Sequence, residues 1–128
     1  MKLIDTDIII DHFHGHQPAL DYIAAQFANG ETLAISVVTI TEILSGMRDG
    51  VQTRTERLLL FSVLDVNEEI ARLAGYYLGR YRRSHGAELG DALIAATARH
   101  SGAGIVTRNR KHYPMSDVTV VVPYERGV

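Results

Sequence analysis

Short apolar runs alternate along this chain with longer stretches of helical period, and that alternation constrains the fold more than any other feature. The runs are Lys2–Asp5, Thr32–Ser36, Val63–Val66, Gly104–Thr107 and Val118–Val122. Between them, Leu20, Ile23, Ala24 and Phe27 recur at helical spacing, as do Ile40, Ile43, Leu44 and Met47. Ile70, Leu73, Ala74, Tyr77, Leu78 and Tyr81 extend the same period over three turns. Further helices are expected over Thr53–Phe61 and Glu88–His100. Asn67 before Glu68 and Glu69 suits a helix start, while Asn29-Gly30, Asp49-Gly50, Gly86 and Ser101-Gly102 suit helix ends. Strands alternating with helices predict an α/β fold with a mostly parallel central sheet of about five strands. At 128 residues the chain is expected to form one domain, 1–128, whose core needs no disulfide or metal to fold.

Composition narrows the function classes. Cysteine is absent, which excludes disulfide scaffolds, thiolate zinc sites, iron–sulfur clusters and cysteine nucleophiles. No apolar run approaches the ~18 residues of a membrane span. The opening Met1–Asp11 lacks the basic region and cleavage site of a signal peptide, so a cytoplasmic protein with no membrane partner is expected. Net charge is −2, so a polyanion partner must meet a local patch rather than the whole surface. Residues 80–112 supply one: Arg80, Arg82, Arg83, Arg99, Arg108, Arg110 and Lys111 are opposed there only by Glu88 and Asp91. Alternating His12, His14 and His16 read as a solvated turn, because no longer zinc-binding constellation accompanies them. No glycine elbow surrounds a serine, and no phosphate loop or dinucleotide fingerprint is present.

In parallel sheets, ligands gather at the carboxyl ends of the strands, so the acids just beyond them carry the chemical interest. Asp5 closes the first strand, where it is also placed to cap a helix from Thr6 onward. Glu42 lies just beyond the second strand, but Thr39-Ile40-Thr41-Glu42 also fits a capping box. Asp91 shares its helix with Leu89, Ala92, Leu93, Ile94, Ala95, Ala96 and Ala98, an environment apolar nearly all round. A carboxylate there needs a cation or several hydrogen bonds. Three acids from separate segments converging at one sheet edge would offer hard oxygen ligands to Mg²⁺ or Mn²⁺. That is the physical case for a metal-assisted phosphodiesterase.

The motifs resemble those of PIN-domain ribonucleases, specifically VapC-type toxins of toxin–antitoxin pairs. They are Leu3-Ile4-Asp5-Thr6-Asp7, Ser36-Val37-Val38-Thr39-Ile40-Thr41-Glu42-Ile43 with Gly46 following, Asp91-Ala92-Leu93-Ile94-Ala95-Ala96-Thr97-Ala98, and Ile105-Val106-Thr107-Arg108-Asn109. The resemblance implies a three-layer α/β/α sandwich, a homodimer, an Mg²⁺-dependent endoribonuclease and a VapB-like antitoxin that blocks the acidic cleft. It implies Asp5 and Asp91 as metal ligands, Glu42 as the residue ordering the water, and Thr6 and Thr107 as supporting hydroxyls. Many relatives carry a fourth acid at or just after the Thr-Arg-Asn position. Here that place holds Asn109, with His112 three residues later. An asparagine brings no charge, so Asn109 is expected to line the cleft through its amide and to leave a one-metal site.

The basic segment then has a use. Arg80, Arg82, Arg83, Arg108, Arg110 and Lys111 are expected to hold RNA phosphates on either side of the scissile bond. Two other readings compete. A PIN-like fold with weakened catalysis would bind RNA or protein without cutting. A phosphoacceptor signalling domain would want an aspartate directly after the middle strand and a lysine after the last, and neither Asp65 nor Lys111 falls there.

Overall fold

The computed structural model describes residues 1–46 and 56–125. The expected helical position of Met47, the Asp49-Gly50 stop and the start of the Thr53–Phe61 helix lie outside the described residues. Five parallel strands, β1 (Lys2–Ile4), β2 (Leu33–Ser36), β3 (Ser62–Leu64), β4 (Gly104–Val106) and β5 (Val120–Val121), form one sheet in the order β3-β2-β1-β4-β5. Among the described residues the helices with both ends defined are α1 (Thr6–Phe13), α2 (Gln17–Ala28), α3 (Val37–Ser45), α4 (Glu68–His85) and α5 (Leu89–Ser101), and a 3₁₀ turn spans Arg110–His112.

Alternation along each strand splits the core in two. Leu3, Ala34 and Ile105 face α4 and α5, packing with Ile70, Ala74, Tyr77, Ala92 and Ala95. Ile4, Leu33, Ile35 and Val106 face the other way, against Ile8 and Ile9 of α1, Ile23 of α2 and Ile43 of α3. The result is the expected three-layer sandwich. Tyr77 belongs to its core at 1% exposure, and its hydroxyl donates to Asp117 at 2.9 Å.

Several boundaries move. The run Ile8-Ile9-Ile10 belongs to α1, because Asp5 accepts the Thr6 N–H at 2.8 Å and starts a helix at once. Ser36, not Thr39, caps α3, accepting from the Val38 N–H at 3.0 Å. Glu42 therefore has no capping-box role. His12 is buried in the last turn of α1 rather than solvated. β3 stops at Leu64, which leaves Asp65 beyond the outer strand of the sheet and away from β1. Among the described residues no helix is long and apolar enough to cross a membrane.

The link between α4 and α5 carries Asp91 to its place. Gly86 ends α4 at φ 64°, a left-handed conformation open to glycine at little cost, and Glu88 already caps α5. A Cβ added at Gly86 would meet nothing within 4 Å, so only backbone strain opposes a side chain there. Gly86→Ala is expected to lower stability by about 1 kcal/mol in urea unfolding, with the slope of the transition unchanged.

Candidate active site

β1 lies between β2 and β4, and the chain leaves it in one direction and returns on the other side. The carboxyl ends of β1 and β4 thus form the crevice where an open parallel sheet receives ligands. Asp5 stands at its base. Its N–H donates to the Val106 carbonyl at 2.9 Å, which fixes the end of β1 against the end of β4. Its Oδ1 accepts from the Thr6 N–H, and its Oδ2 accepts from the Thr107 hydroxyl at 2.8 Å. The residue is only 7% exposed. Burial pushes its carboxyl above the usual range, the Thr6 and Thr107 bonds oppose that rise, and the nearby charge of Asp91 adds to it.

Asp91 comes from the first turn of α5. It is half-buried, and its Oδ2 closes a capping box by accepting from the Glu88 N–H at 3.4 Å. Asp91 thus caps its helix and also faces the crevice. Burial raises its carboxyl, while His112, whose Nδ1 lies 3.9 Å from Asp91 Oδ1, works the other way. Glu42 reaches the same place from α3. Its Oε1 accepts from the Thr6 hydroxyl at 2.8 Å, and the Thr6 Oγ1 also lies 3.0 Å from the buried Thr39 Oγ1. Its Oε2 would be 3.5 Å from a Cβ on Gly90, so Glu42 rests against the residue beside Asp91. Asp5, Glu42 and Asp91 are therefore brought to one edge, with Thr6 and Thr107 each holding one of the acids.

Asn109 goes elsewhere. Its Nδ2 donates to Asp7 Oδ2 at 3.1 Å, and the Arg108 N–H donates to the same oxygen at 3.0 Å. The physical reason is that Asp7 projects from the first turn of α1 onto the segment leaving β4. The backbone N–H of Asn109 donates to Thr107 Oγ1 at 3.1 Å, helping to aim that hydroxyl at Asp5. Asn109 thus supports the acids from the side, and its amide is committed to Asp7.

Arg108 also departs from the expected RNA-facing role. Its Nε lies 2.9 Å from Asp11 Oδ2 and 3.9 Å from Asp7 Oδ2, and Asp11 is fully buried. The Tyr124 hydroxyl donates to the same Asp11 oxygen at 2.8 Å. A buried carboxylate demands such partners, so Arg108 serves the interior. Arg80, Arg82, Arg83, Arg110 and Lys111 remain exposed. Arg80 Nε donates to the Tyr81 hydroxyl at 3.2 Å, and one Arg110 nitrogen donates to the Val120 carbonyl at 3.2 Å. The basic end of α4 is tied to the Asp91 turn by the short stretch 86–88, and Arg110 and Lys111 follow β4 directly.

Four contributors escaped the sequence reading: Asp7, Asp11, Thr39 and Tyr113. Asp7 and Asp11 stand four apart on one helix face amid isoleucines, and that spacing was the available signal. Tyr113 is buried at 3% exposure, its hydroxyl faces Asp5 without a well-aligned hydrogen bond, and burial and the acids push it far up.

Comparison with known proteins settles the family. The PIN domain family model matches residues 2–118. The chain belongs to the PIN domain family. Its relatives in it include ribonuclease VapC10 of Mycobacterium tuberculosis, 44% identical over 117 residues, covering 90% of this chain and 87% of the relative. Ribonuclease VapC19 of the same organism is 41% identical over 117 residues, covering 90% and 94%. Among solved structures, a toxin–antitoxin complex from Klebsiella pneumoniae superimposes with a TM-score of 0.78 at 28% identity, covering 98% of this chain and all of that one. This PIN domain is thus a VapC-like chain with the α/β/α architecture expected of it.

The crowded acids have a thermodynamic consequence. Burial, and then the neighbouring Asp5, raise the Asp7 carboxyl to about 6 from 3.8. A raised carboxyl favours the folded state while it is protonated, so its contribution is complete below pH ~4 and is lost as pH rises through ~6. In chelator, urea unfolding of the wild type should weaken between pH 4 and 6.5, Asp7 contributing at most about 3 kcal/mol. Asp7→Asn should flatten that part of the slope.

Proposed function

We propose that this protein is a divalent-metal-dependent endoribonuclease acting as the toxin of a toxin–antitoxin pair. The observation that carries the reading is the fixing of Asp5, by Thr6 N–H and Thr107 Oγ1, at a sheet crevice that Asp91 and Glu42 also reach. Identity of 44% to a ribonuclease VapC10 supports RNA as the substrate. Likeness to a solved toxin–antitoxin complex supports a VapB-like antitoxin as the partner covering the acidic cleft.

The residues fit Mg²⁺ or Mn²⁺ in donor chemistry. Asp5 and Asp91 both carry carboxyls raised chiefly by burial; the Asp91 charge adds to the rise at Asp5, and the Glu88 and Asp7 charges add to that at Asp91, an arrangement a nearby cation relieves. Among the described residues no three acidic or histidine side chains form a ready cage, so water must complete the coordination, as hard divalent ions accept. Bound there, such an ion supplies Lewis acidity at the scissile phosphate and a water made acidic enough to attack near neutral pH.

The chain's own residues do the rest. Asp5 and Asp91 hold the ion, Asp5 in one orientation because Thr6 and Thr107 occupy both of its oxygens from the protein side. Glu42, anchored through Oε1 on the Thr6 hydroxyl, presents Oε2 to the attacking water and accepts its proton. Arg80, Arg82 and Arg83 on one flank, and Arg110 and Lys111 on the other, bind phosphates along the strand.

RNA cleavage is expected to stop in excess chelator and to return on adding Mg²⁺ or Mn²⁺. Asp5→Asn and Asp91→Asn should fall to background with the circular dichroism spectrum of the wild type. Thr107→Val, which leaves every carboxylate in place, should lose about 10–100-fold. Full cleavage in chelator would overturn the reading, and mapping of RNA 5′ ends after brief expression, against the Asp5→Asn control, identifies the substrate.

A further inference from the structure

The crevice has a neighbour that the reading above leaves unused. A cavity of about 580 Å³ opens at the carboxyl ends of β4 and β5, lined by Arg108, Asn109, Arg110, Val122 and Glu125. It adjoins the acids: the Asn109 N–H donates to the Thr107 hydroxyl at 3.1 Å, and that hydroxyl donates to Asp5. Its volume lies within the range that holds small organic ligands. Both arginines are fixed before any ligand arrives. Arg108 Nε lies 2.9 Å from Asp11 Oδ2, and Arg110 donates to the Val120 carbonyl at 3.2 Å. Neither is spent on Glu125, which is exposed and has no ion pair among the described residues. A carboxylate on a rim that binds phosphates repels the strand unless it reads something on it.

We propose that this cavity receives the guanine base of a nucleotide next to the scissile phosphate. The inference rests on the ribonuclease reading and adds a base preference to it. Unpaired bases are recognised on their Watson–Crick edges and by stacking on guanidinium planes. The Watson–Crick edge of guanine carries two adjacent donors, N1–H and the N2 amino group, which match the two oxygens of one carboxylate. Adenine and cytosine offer a carboxylate only their single amino group, and uracil only N3–H. The other edge of guanine presents O6 and N7, the acceptor pair that an arginine meets. Glu125 together with Arg108 or Arg110 thus satisfies guanine on both edges, and every other base leaves the carboxylate short of a partner. Val122 gives the ring an apolar contact.

The test uses the full chain and three mononucleotides. Guanosine, inosine and adenosine 5′-monophosphates are titrated in chelator into ¹⁵N-labelled protein and followed by nuclear magnetic resonance. All carry the same phosphate, so basic side chains alone treat them alike, and inosine differs from guanosine only in lacking the N2 amino group. The guanosine nucleotide should bind about tenfold more tightly than the other two, shifting the signals of residues 108–110 and Glu125. Glu125→Gln, a change at an exposed position, should erase the difference. With Mg²⁺, sequencing of the ends cut from a random RNA pool should show guanosine enriched at one position beside the break, and Glu125→Gln should lose that enrichment. Equal binding of the three nucleotides, or cleavage without guanosine enrichment, would overturn the assignment of the cavity and leave the ribonuclease reading intact. Guanosine-selective binding that depends on Glu125, with no cleavage of any RNA, would uphold the guanine site and overturn the ribonuclease reading.

Discussion

A carboxylate buried at the end of the central strand is the constraint on which the rest of the site depends. Asp5 is 7% exposed in a place where no salt bridge reaches it among the described residues. It is tolerated because two donors from separate parts of the chain satisfy both oxygens. Every nearby feature follows from that requirement. Thr107 must stand at the end of β4, Asn109 must orient Thr107, and Asp7 must anchor the segment that carries both. Arg108 and Asp11 then hold α1 to the same segment from below. Removing one member of such a buried pair costs about 3–5 kcal/mol, because it strands the other charge.

The architecture was legible in the sequence because period-2 and period-3.6 segments alternate cleanly, and local pattern decides such elements. Asp5 and Asp91 were legible because each is an acid where an apolar neighbourhood makes an acid costly. Glu42 was harder to place. Thr39-Ile40-Thr41-Glu42 satisfies the capping-box pattern, but Ser36 at the end of β2 caps the helix three residues earlier. That shift turns Thr39 inward and frees Glu42 for Thr6. Arg108 and Asn109 were misplaced for a different reason. Their partners, Asp11 and Asp7, lie about 100 residues away, and no local pattern reports such a pairing.

Charge is divided with equal economy. Asp5, Glu42 and Asp91 meet at the crevice, while Arg80, Arg82 and Arg83 are exposed at the end of α4 and Arg110 and Lys111 beyond β4. On the proposed reading, that positive charge draws in a polyanion, and the acids leave its scissile phosphate in need of a cation. The short stretch between α4 and α5 ties the arginines at the end of α4 to the turn that carries Asp91.

The bond from Thr107 to Asp5 joins residues 102 positions apart. β1 leaves the ribosome about 100 residues before its neighbour β4, and non-local strand pairing is slow to form. A chain interrupted before residue 107 carries Asp5, Glu42 and Asp91 yet has no hydroxyl to fix the first of them. On the proposed reading, a nascent chain that has not reached Thr107 cleaves RNA more weakly than the finished one. The site is complete only once β4 has paired with β1.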